Sequence, residues 1–281
     1  MFAFLSNFFT SHGIDTLGTL ALSDCRILRP YLLERAGILA GNVLLIAVPY
    51  YSPACDAPER NLSAYAVPRD YHAYFDGLFG ELLPQLKESY PTHRFAAFYD
   101  HSPIAEVEAA ARAGLGCIGK NGLLLTERYS SYVFLAELIT DAPLPSTARE
   151  ISVCEDCGRC RAVCPAVSLG DCLSALTQKK GDLTTDEQAA LCRSATVWGC
   201  DLCQEVCPHT FRAKKSGTIY TNIPYFGEET LPHLSLDRLD RMSDEEFSKR
   251  AYAWRGRKTI HRNLLLNETK NTQHTTEDAP C

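Results

Sequence analysis

The stretch CEDCGRCRAVCP at residues 154–165 decides the architecture of this chain, and a shorter copy of its pattern, CDLCQEVCP, follows at residues 200–208. The chain has 13 cysteines, and nine of them lie between Cys154 and Cys207. Disulfide scaffolds are dense in cysteine throughout and occur in short secreted chains, whereas this chain has 281 residues and few cysteines outside one segment. The concentrated thiols therefore predict metal ligands.

The spacing of these cysteines indicates iron–sulfur chemistry. The first run is C-x2-C-x2-C-x3-C followed by Pro165, which is the ligand pattern of bacterial two-cluster ferredoxins. The second run is C-x2-C-x3-C followed by Pro208. A zinc site is the alternative, but zinc would use paired C-x2-C ligands and would leave the third cysteine and the prolines unexplained. The spacing predicts two [4Fe–4S] clusters.

Two such clusters need eight thiolates, and the two runs supply seven of them. In the ferredoxin pattern, the last cysteine of a run binds the cluster of the other run. One cluster would then take Cys154, Cys157, Cys160 and Cys207. The other would take Cys164, Cys200, Cys203 and an eighth ligand, which is either Cys172 or Cys192. Spacing alone does not choose between these two.

Composition and charge exclude several classes of protein. The 34 acidic residues outnumber the 28 basic ones, so the chain as a whole is not a polycation that coats nucleic acid. The longest apolar run, at residues 38–48, falls short of the ~20 residues that cross a bilayer. Residues 1–15 lack the basic region and cleavage site of a secretory signal. A cytoplasmic protein without a membrane segment is predicted.

Alternating strands and helices in residues 1–145 predict a mixed α/β or α+β domain. The predicted helices cover residues 2–12, 23–37, 71–89 and 106–113, and the predicted strands cover residues 16–22, 43–48, 95–99, 123–125 and 132–139. A linker with two prolines at residues 141–149 leads into the cysteine-rich module. The predicted divisions are a first domain at 1–145, a ferredoxin-like domain at 146–215, a helical segment at 216–266 and a disordered tail at 267–281.

Several further segments resemble those of the epoxyqueuosine reductases, which are cobalamin- and iron–sulfur-dependent enzymes that complete queuosine in tRNA. The matching segments stand in the family's order: YAVPRDYH (65–72), YDHSPIAE (99–106), AGLGCIGKNGLLL (113–125), SSYVFLAELITD (130–141), the two cysteine runs joined by CLSALTQKKG (172–181), and AYAWRGRKTIHRN (251–263). The resemblance implies a cobalamin- and substrate-binding first domain and a two-cluster second domain. It also implies a tRNA substrate and an external low-potential electron donor such as a flavodoxin or ferredoxin.

The resemblance also implies roles for particular residues. Cys172 matches the family's isolated eighth cluster ligand, and Cys192 is left spare. Asp100 matches the carboxylic acid that serves as proton donor, which requires burial to raise its pKa from ~3.9; the alternative is that Asp100 only caps a helix beginning near Pro103. Cofactor contacts are expected at Arg69, Tyr71, His72, Lys120, Asn121, Ser131 and Ser174.

The chain departs from the family pattern at three positions. Cys117 stands where the family usually has Trp, Pro68 where it has Gly, and Ala175 where an aromatic residue is common, so the wall of a cofactor site would be reshaped. The match is to a short form, without the C-terminal helical-repeat extension of many members. Residues 249–262, KRAYAWRGRKTIHR, are either a phosphate-contacting patch or a solvated helix face.

Three rival functions stay open at this point. The first is a related cobalamin and iron–sulfur reductase with a small-molecule substrate. The second is a two-cluster ferredoxin-type electron carrier without cobalamin. The third is an RNA-binding module whose clusters are structural. The sequence assigns no role to the remaining cysteines, which are Cys25, Cys55, Cys117, Cys192 and Cys281.

Overall fold

The computed structural model describes residues 1–277, with side chains as far as Glu268. Its elements in chain order are α1 (Phe2–Ser11), β1 (Thr16–Ala21), α2 (Pro30–Ala36), β2 (Asn42–Pro49), α3 (Tyr71–Ser89), β3 (Phe95–Tyr99), α4 (Glu106–Arg112), β4 (Cys117–Ile118), β5 (Leu124–Leu125), β6 (Val133–Thr140), α5 (Arg159–Val163), α6 (Leu173–Gln178), α7 (Thr185–Ser194), α8 (Leu202–Glu205), α9 (Pro208–Ser216), α10 (Leu236–Arg241), α11 (Asp244–Ser248) and α12 (Arg257–Glu277). The predicted mixed class is confirmed. Of the described helices, none has the length and apolar character that crossing a bilayer requires.

Two compact units share the chain, and each draws on three separate stretches. The first unit comprises Met1–Tyr51, His72–Cys157 and Pro208–Ile223. The second unit comprises Ser52–Tyr71, Gly158–Cys207 and the described chain from Pro224 onward. The contiguous domains predicted at 1–145, 146–215 and 216–266 stay predictions, because the units group residues by contact and not by function.

A four-stranded antiparallel sheet forms the centre of the first unit, in the order β1-β2-β6-β3. Strand β2 is apolar from Val43 onward and lies between two neighbours, so almost all of its residues are buried. Side chains alternate between the two faces of a strand. Leu45 of β2 and Ile139 of β6 therefore share one face, where they join a core with Ala109 and Ala110 of α4.

Helix α3 covers the opposite face of this sheet. Phe75 stacks on Tyr99 of β3 with ring centroids 4.9 Å apart, and it meets Phe134 of β6 edge-on at 6.3 Å. Aromatic pairs in these arrangements add stability beyond the area that they bury. Helix α3 spans the predicted residues 71–89 and contains Pro84.

Helices build the second unit around two apolar cores. Trp198 and Tyr252 are fully buried in one core, and Leu173 and Leu191 lie in the other. Helix α12 packs against α6, α7 and α10. Its buried Asn263 donates hydrogen bonds of 2.8 Å to the carbonyl oxygens of Thr177 and Val197, which ties α12 to both cores.

Two predicted segments differ in the structure. The helix predicted over residues 23–37 is wrong before Pro30, because only a single 3-10 turn forms at Leu22–Asp24 and α2 begins at Pro30. Proline lacks an N–H and is favoured at the first position of a helix rather than inside it. The tail predicted to be disordered from residue 267 has helical backbone to Glu277, since no glycine or proline interrupts it. Residues 278–281 lie outside the described part of the chain.

Candidate functional site

The second unit brings several of the predicted cluster ligands together. Cys203 lies in α8, which packs against α5, the helix that contains Cys160. Cys164 and Cys200 pack against the same apolar core. Burial, with smaller contributions from the charges of Asp201, Cys203 and Cys172, raises the pKa of the Cys200 thiol to about 12. Cys172 and Cys203 therefore lie near enough to Cys200 for their charges to act on its thiol.

The two candidates for the eighth ligand have different surroundings. Cys172 is the residue that precedes α6, and its side chain is exposed. Cys192 lies in α7, and its thiol donates a hydrogen bond of 3.3 Å to the carbonyl oxygen of Leu266 in α12. The Cys192 thiol is therefore hydrogen-bonded to a neighbouring helix, whereas Cys172 is exposed and its charge acts on the Cys200 thiol.

Cys154 and Cys157 belong to the first unit, while Cys160 and Cys207 belong to the second. The segment before Cys157 is held by the β4 hairpin, because the backbone N–H of Cys154 donates to the carbonyl oxygen of Ile118 at 3.0 Å. The sulfur of Cys154 accepts a hydrogen bond of 3.4 Å from the backbone N–H of Lys120. A donor of this kind stabilises a thiolate, which is the form that binds metal.

The thiol set fits iron–sulfur ligation chemically. Twelve cysteines lie in the described chain, all of them are free thiols, and Cys281 lies outside it. Thiolates are the soft ligands that iron–sulfur clusters require. Within the same residues, no three His, Cys, Asp or Glu side chains are arranged around a position for a single metal ion.

A buried carboxylate supports the loop that carries two of the cluster cysteines. Asp201 lies between Cys200 and Cys203 and is 5% exposed. It accepts hydrogen bonds from Arg60 Nη1, Ser63 Oγ and the Ala64 N–H, each at 2.6 Å, and from Gln204 Nε2 at 2.9 Å. The four donors satisfy the carboxylate, as a buried charge requires.

The loop that contains Gly199 and Asp201 passes close to residues 61–64, and no space remains there for a side chain at Gly199. This glycine has a φ of +69°, and a Cβ there would lie 2.4 Å from the Cβ of Ser63. The backbone N–H of Ser63 donates to the carbonyl oxygen of Trp198 at 2.8 Å, which fixes the approach. Sequence reasoning missed this support, although an aspartate between two ligand cysteines was a visible signal.

Asp100 follows β3 in the first unit and adopts a φ of +60°, which is uncommon for a residue other than glycine. Its Oδ2 lies 3.5 Å from Nε2 of His72, and its side chain is 62% exposed. The alternative role as a helix cap is wrong, because α4 begins at Glu106 with Ala105 in the capping position. Asp100 opens instead into a cleft of about 630 Å³ that Arg29 and Glu106 also line.

Two glutamates at this cleft were missed by the sequence analysis: Glu106 lines it, and Glu137 is buried in β6. Burial and, to a smaller degree, the negative charge of Asp100 raise the pKa of Glu106 to about 7 against the opposing charge of Arg29. Glu137 of β6 is fully buried, and its pKa is raised well above the usual value by burial and by Glu106. A glutamate on the apolar strand VFLAELIT was the signal that could have found it.

The predicted cofactor contacts of the first unit are His72, Lys120, Asn121 and Ser131. His72 pairs with Asp100, and Lys120 forms an ion pair with Asp156 at 3.1 Å. Asn121 closes the β4–β5 turn by accepting a hydrogen bond of 3.3 Å from the Leu123 N–H. Ser131 is buried. The structure brings His72 to Asp100, the predicted proton donor, while Lys120 and Asn121 belong to the turn.

The predicted contacts of the second unit are Arg69, Tyr71 and Ser174. The Arg69 guanidinium lies 4.4 Å from the ring centroid of Tyr225 and forms ion pairs with Glu228 and Glu229. Tyr71 packs against the core around Trp198. Ser174 accepts a hydrogen bond of 3.3 Å from Gln178 along α6. Each of these three side chains therefore has contacts within the chain, and their role as cofactor contacts stays a prediction.

The basic segment at residues 249–262 is divided between internal and surface roles. Three of its arginines donate to backbone carbonyl oxygens: Arg250 to Glu229, Arg257 to Leu239 and Met242, and Arg262 to Lys179 and Gly181. Lys249 pairs with Glu245 at 2.9 Å. Lys258 and His261 line an open groove of about 770 Å³ with Asp240 and Asp244. The segment is therefore partly structural.

Comparison with known proteins gives consistent matches, although no family model matches the chain. The epoxyqueuosine reductase of Gloeobacter violaceus is 33% identical over 218 residues, which are 74% of this chain and 68% of that protein. The epoxyqueuosine reductase of Listeria monocytogenes is 33% identical over 244 residues, covering 80% of this chain and 63% of that protein.

Solved structures agree with these relatives. A crystal structure of epoxyqueuosine reductase with an epoxyqueuosine-modified tRNA-Tyr stem loop aligns with a TM-score of 0.77 at 26% identity, covering 95% of this chain and 80% of that one. A selenomethionine-labelled epoxyqueuosine reductase aligns with a TM-score of 0.77 at 25% identity.

The fold, the free thiols and these matches define an oxidoreductase. The chain belongs to the epoxyqueuosine reductase family, as the resemblance in its sequence predicts.

Proposed function

We propose that this chain reduces epoxyqueuosine to queuosine in tRNA, a reaction of the cytoplasm. Its membership of the family supports the reaction, and the similar structure that holds a modified tRNA stem loop supports the substrate. Converting an epoxide to an alkene consumes two electrons and two protons and releases water. The enzyme therefore needs an electron path and an acid.

The observation that carries the proposal is the set of free thiols Cys172, Cys200 and Cys203 in the second unit, where Cys200 packs against the same apolar core as Cys164 and α8, which contains Cys203, packs against α5. With Cys164 they would hold one [4Fe–4S] cluster, and the other would take Cys154, Cys157, Cys160 and Cys207. Bound cobalamin would supply the strongly reducing cobalt centre. An external donor such as a flavodoxin or ferredoxin would deliver the electrons.

Asp100 is the proposed proton donor to the departing oxygen. It stands at the mouth of a cleft beside His72, where a substrate atom can approach it. A carboxyl group remains protonated near neutral pH only when water is excluded from it. Because most of the Asp100 side chain is exposed, bound substrate and cofactor would have to cover it.

Metal analysis and nucleoside analysis test the function together. Protein purified anaerobically with cobalamin supplied should contain about eight irons per chain and cobalt, and it should convert epoxyqueuosine in tRNA to queuosine by mass spectrometry. The Asp100→Ala variant should lose turnover and keep iron and cobalt. Iron without cobalt would indicate a ferredoxin-type carrier, and normal queuosine in tRNA from a deletion strain would contradict the tRNA substrate.

A matched pair of variants tests the eighth ligand. Cys172→Ser should lose about four irons per chain, because one cluster loses a thiolate. Cys192→Ser should keep all of them, because the Cys192 thiol is engaged with Leu266. The reverse pattern of iron loss would assign the ligand to Cys192.

A further inference from the structure

The proposed reaction needs more protons than Asp100 carries. Two protons enter for each epoxide that becomes an alkene, and a single carboxyl group holds one. Asp100 must therefore regain a proton before the water molecule leaves. The structure offers two buried carboxyl groups for this purpose, Glu106 and Glu137.

Glu137 is placed where an ionised carboxylate is poorly stabilised. It is 0% exposed, and its Oε1 accepts a hydrogen bond from Ser102 Oγ. Its Oε2 is buried and has no hydrogen-bond partner among the described residues. A bare anionic oxygen in a dry interior is costly, so this carboxyl group favours keeping a proton or sharing one.

Glu106 connects Glu137 to the cleft. It is the first residue of α4, which packs against β6, and it also lines the cleft into which Asp100 opens. The negative charge of Glu106 acts on Glu137, and two carboxyl groups that interact in this way do not both ionise readily, so they titrate as a pair. The other charged groups that line this cleft are Arg26, Arg29, Asp100 and Glu108, and Arg26 pairs with Glu108 at 2.9 Å.

The loop between Asp100 and Glu106 is anchored at its middle. The Ser102 hydroxyl donates to Glu137 and accepts the N–H of Ile104 at 3.1 Å, while Arg29 Nη1 donates to the Ser102 carbonyl oxygen at 2.7 Å. The two carboxyl groups at the ends of this loop therefore face one cleft. The cleft that both residues line gives a proton a path between them through water.

Resting on the proposed function, we propose that Glu106 and Glu137 hold a shared proton behind Asp100, and that Glu106 returns a proton to the Asp100 carboxylate during each turnover. The transfer leaves Asp100 neutral and Glu106 ionised, and Glu106 then takes up a proton from solvent through the cleft. No electrons move in this step. Glu106 acts through Asp100 and does not touch the substrate.

The pKa of about 7 that burial and the Asp100 charge give Glu106 suits this role, because a proton donor works best when its pKa is near the operating pH. Turnover should be fastest where Glu106 is protonated. The rate should therefore fall as the pH rises through about 7.

The test compares Glu106→Gln with Glu88→Gln, an exposed residue near the end of α3, in the loaded enzyme. Glu106→Gln should lower kcat at least about 10-fold at neutral pH with KM unchanged, because an acid–base partner contributes to kcat. Its decline in rate near pH 7 should disappear, and a small weak acid such as imidazolium should restore part of kcat. Glu106→Asp should retain more activity, and Glu88→Gln should match the wild type.

The outcomes separate this proposal from the function on which it rests. If the wild-type enzyme forms no queuosine, the proposed function fails and the relay fails with it. If the wild type is active and Glu106→Gln keeps its kcat and its pH profile, only the relay is refuted. A loss of kcat that weak acids do not restore, with iron and cobalt content reduced, would show a structural role and refute it as well.

Discussion

Replacing Asp201 by alanine should destabilise the loop that carries Cys200 and Cys203. The change removes the acceptor of four hydrogen bonds, one of them from the Arg60 guanidinium at 2.6 Å, in a site that is 5% exposed. Removing one partner of a buried ion pair costs about 3–5 kcal/mol, and the lower end of this range applies here because Arg60 keeps Glu205 as a second acidic partner. For a chain of this size, that loss lowers the Tm by roughly 10 °C.

The assay is thermal unfolding of the anaerobically loaded protein at one scan rate, with iron measured on the same samples. Glu205→Ala is the matched control, because Glu205 also pairs with Arg60 but its side chain is 42% exposed. An exposed partner of this kind contributes about 0–1 kcal/mol. Asp201→Ala should also lower the iron content, since its loop holds two proposed ligands of one cluster.

Equal Tm values for the two variants, with full iron in both, would refute the reasoning that the buried carboxylate supports the cluster loop. Asp201→Asn refines the result. It keeps the shape and some of the acceptors but removes the charge, so its Tm should lie between those of Asp201→Ala and the wild type.

Three further predictions concern stability. The wild type should lose stability as the pH rises from about 4.5 to about 7, since folded Glu106 keeps a proton that the unfolded chain has released; Glu106→Gln should remove about 3 kcal/mol of this loss in pH-dependent denaturant unfolding. Gly199→Ala should lower the Tm far more than Gly181→Ala, because both have positive φ but only the first Cβ meets another residue, Ser63 at 2.4 Å; equal effects would contradict this. Thr184→Ala removes the capping box of α7 and should cost about 1 kcal/mol in the same denaturant assay, and no change would show that the cap is dispensable.

Local patterns in the sequence were sufficient for much of the fold. The apolar run of β2, the strand FAAFY of β3 and the helix over Tyr71–Ser89 all form where they are predicted. In each of these segments the pattern of apolar residues along the chain is that of a single type of secondary structure, so the local sequence is enough to predict the element. The helix predicted to begin at Ser23 was wrong because α2 begins at Pro30. Proline favours the first position of a helix, and this preference outweighs that of a capping serine seven positions earlier.

The parts of the site that sequence reasoning missed depend on residues far apart in the chain. Arg60 and Asp201 meet across 141 positions, and no local spacing indicates that pairing. Glu137 lies in an apolar strand, and the effect of the Glu106 charge on its pKa exists only once β6 and α4 pack together. The cysteine runs could be recognised from their local spacing, and their assignment as cluster ligands stays a prediction, whereas the interaction of charges through the interior had no local signal.

The interleaving of the two units has a consequence for synthesis on the ribosome. The first unit lacks its last stretch until Ile223 has emerged, and the second needs the chain beyond Pro224. Neither unit can therefore fold completely while the nascent chain is still short, and all of the proposed ligand thiols are translated before either unit is complete. During that interval the thiols must be protected from oxidation and from binding other metal ions. Delivery of the proposed clusters should accordingly follow release of the chain and not accompany its elongation.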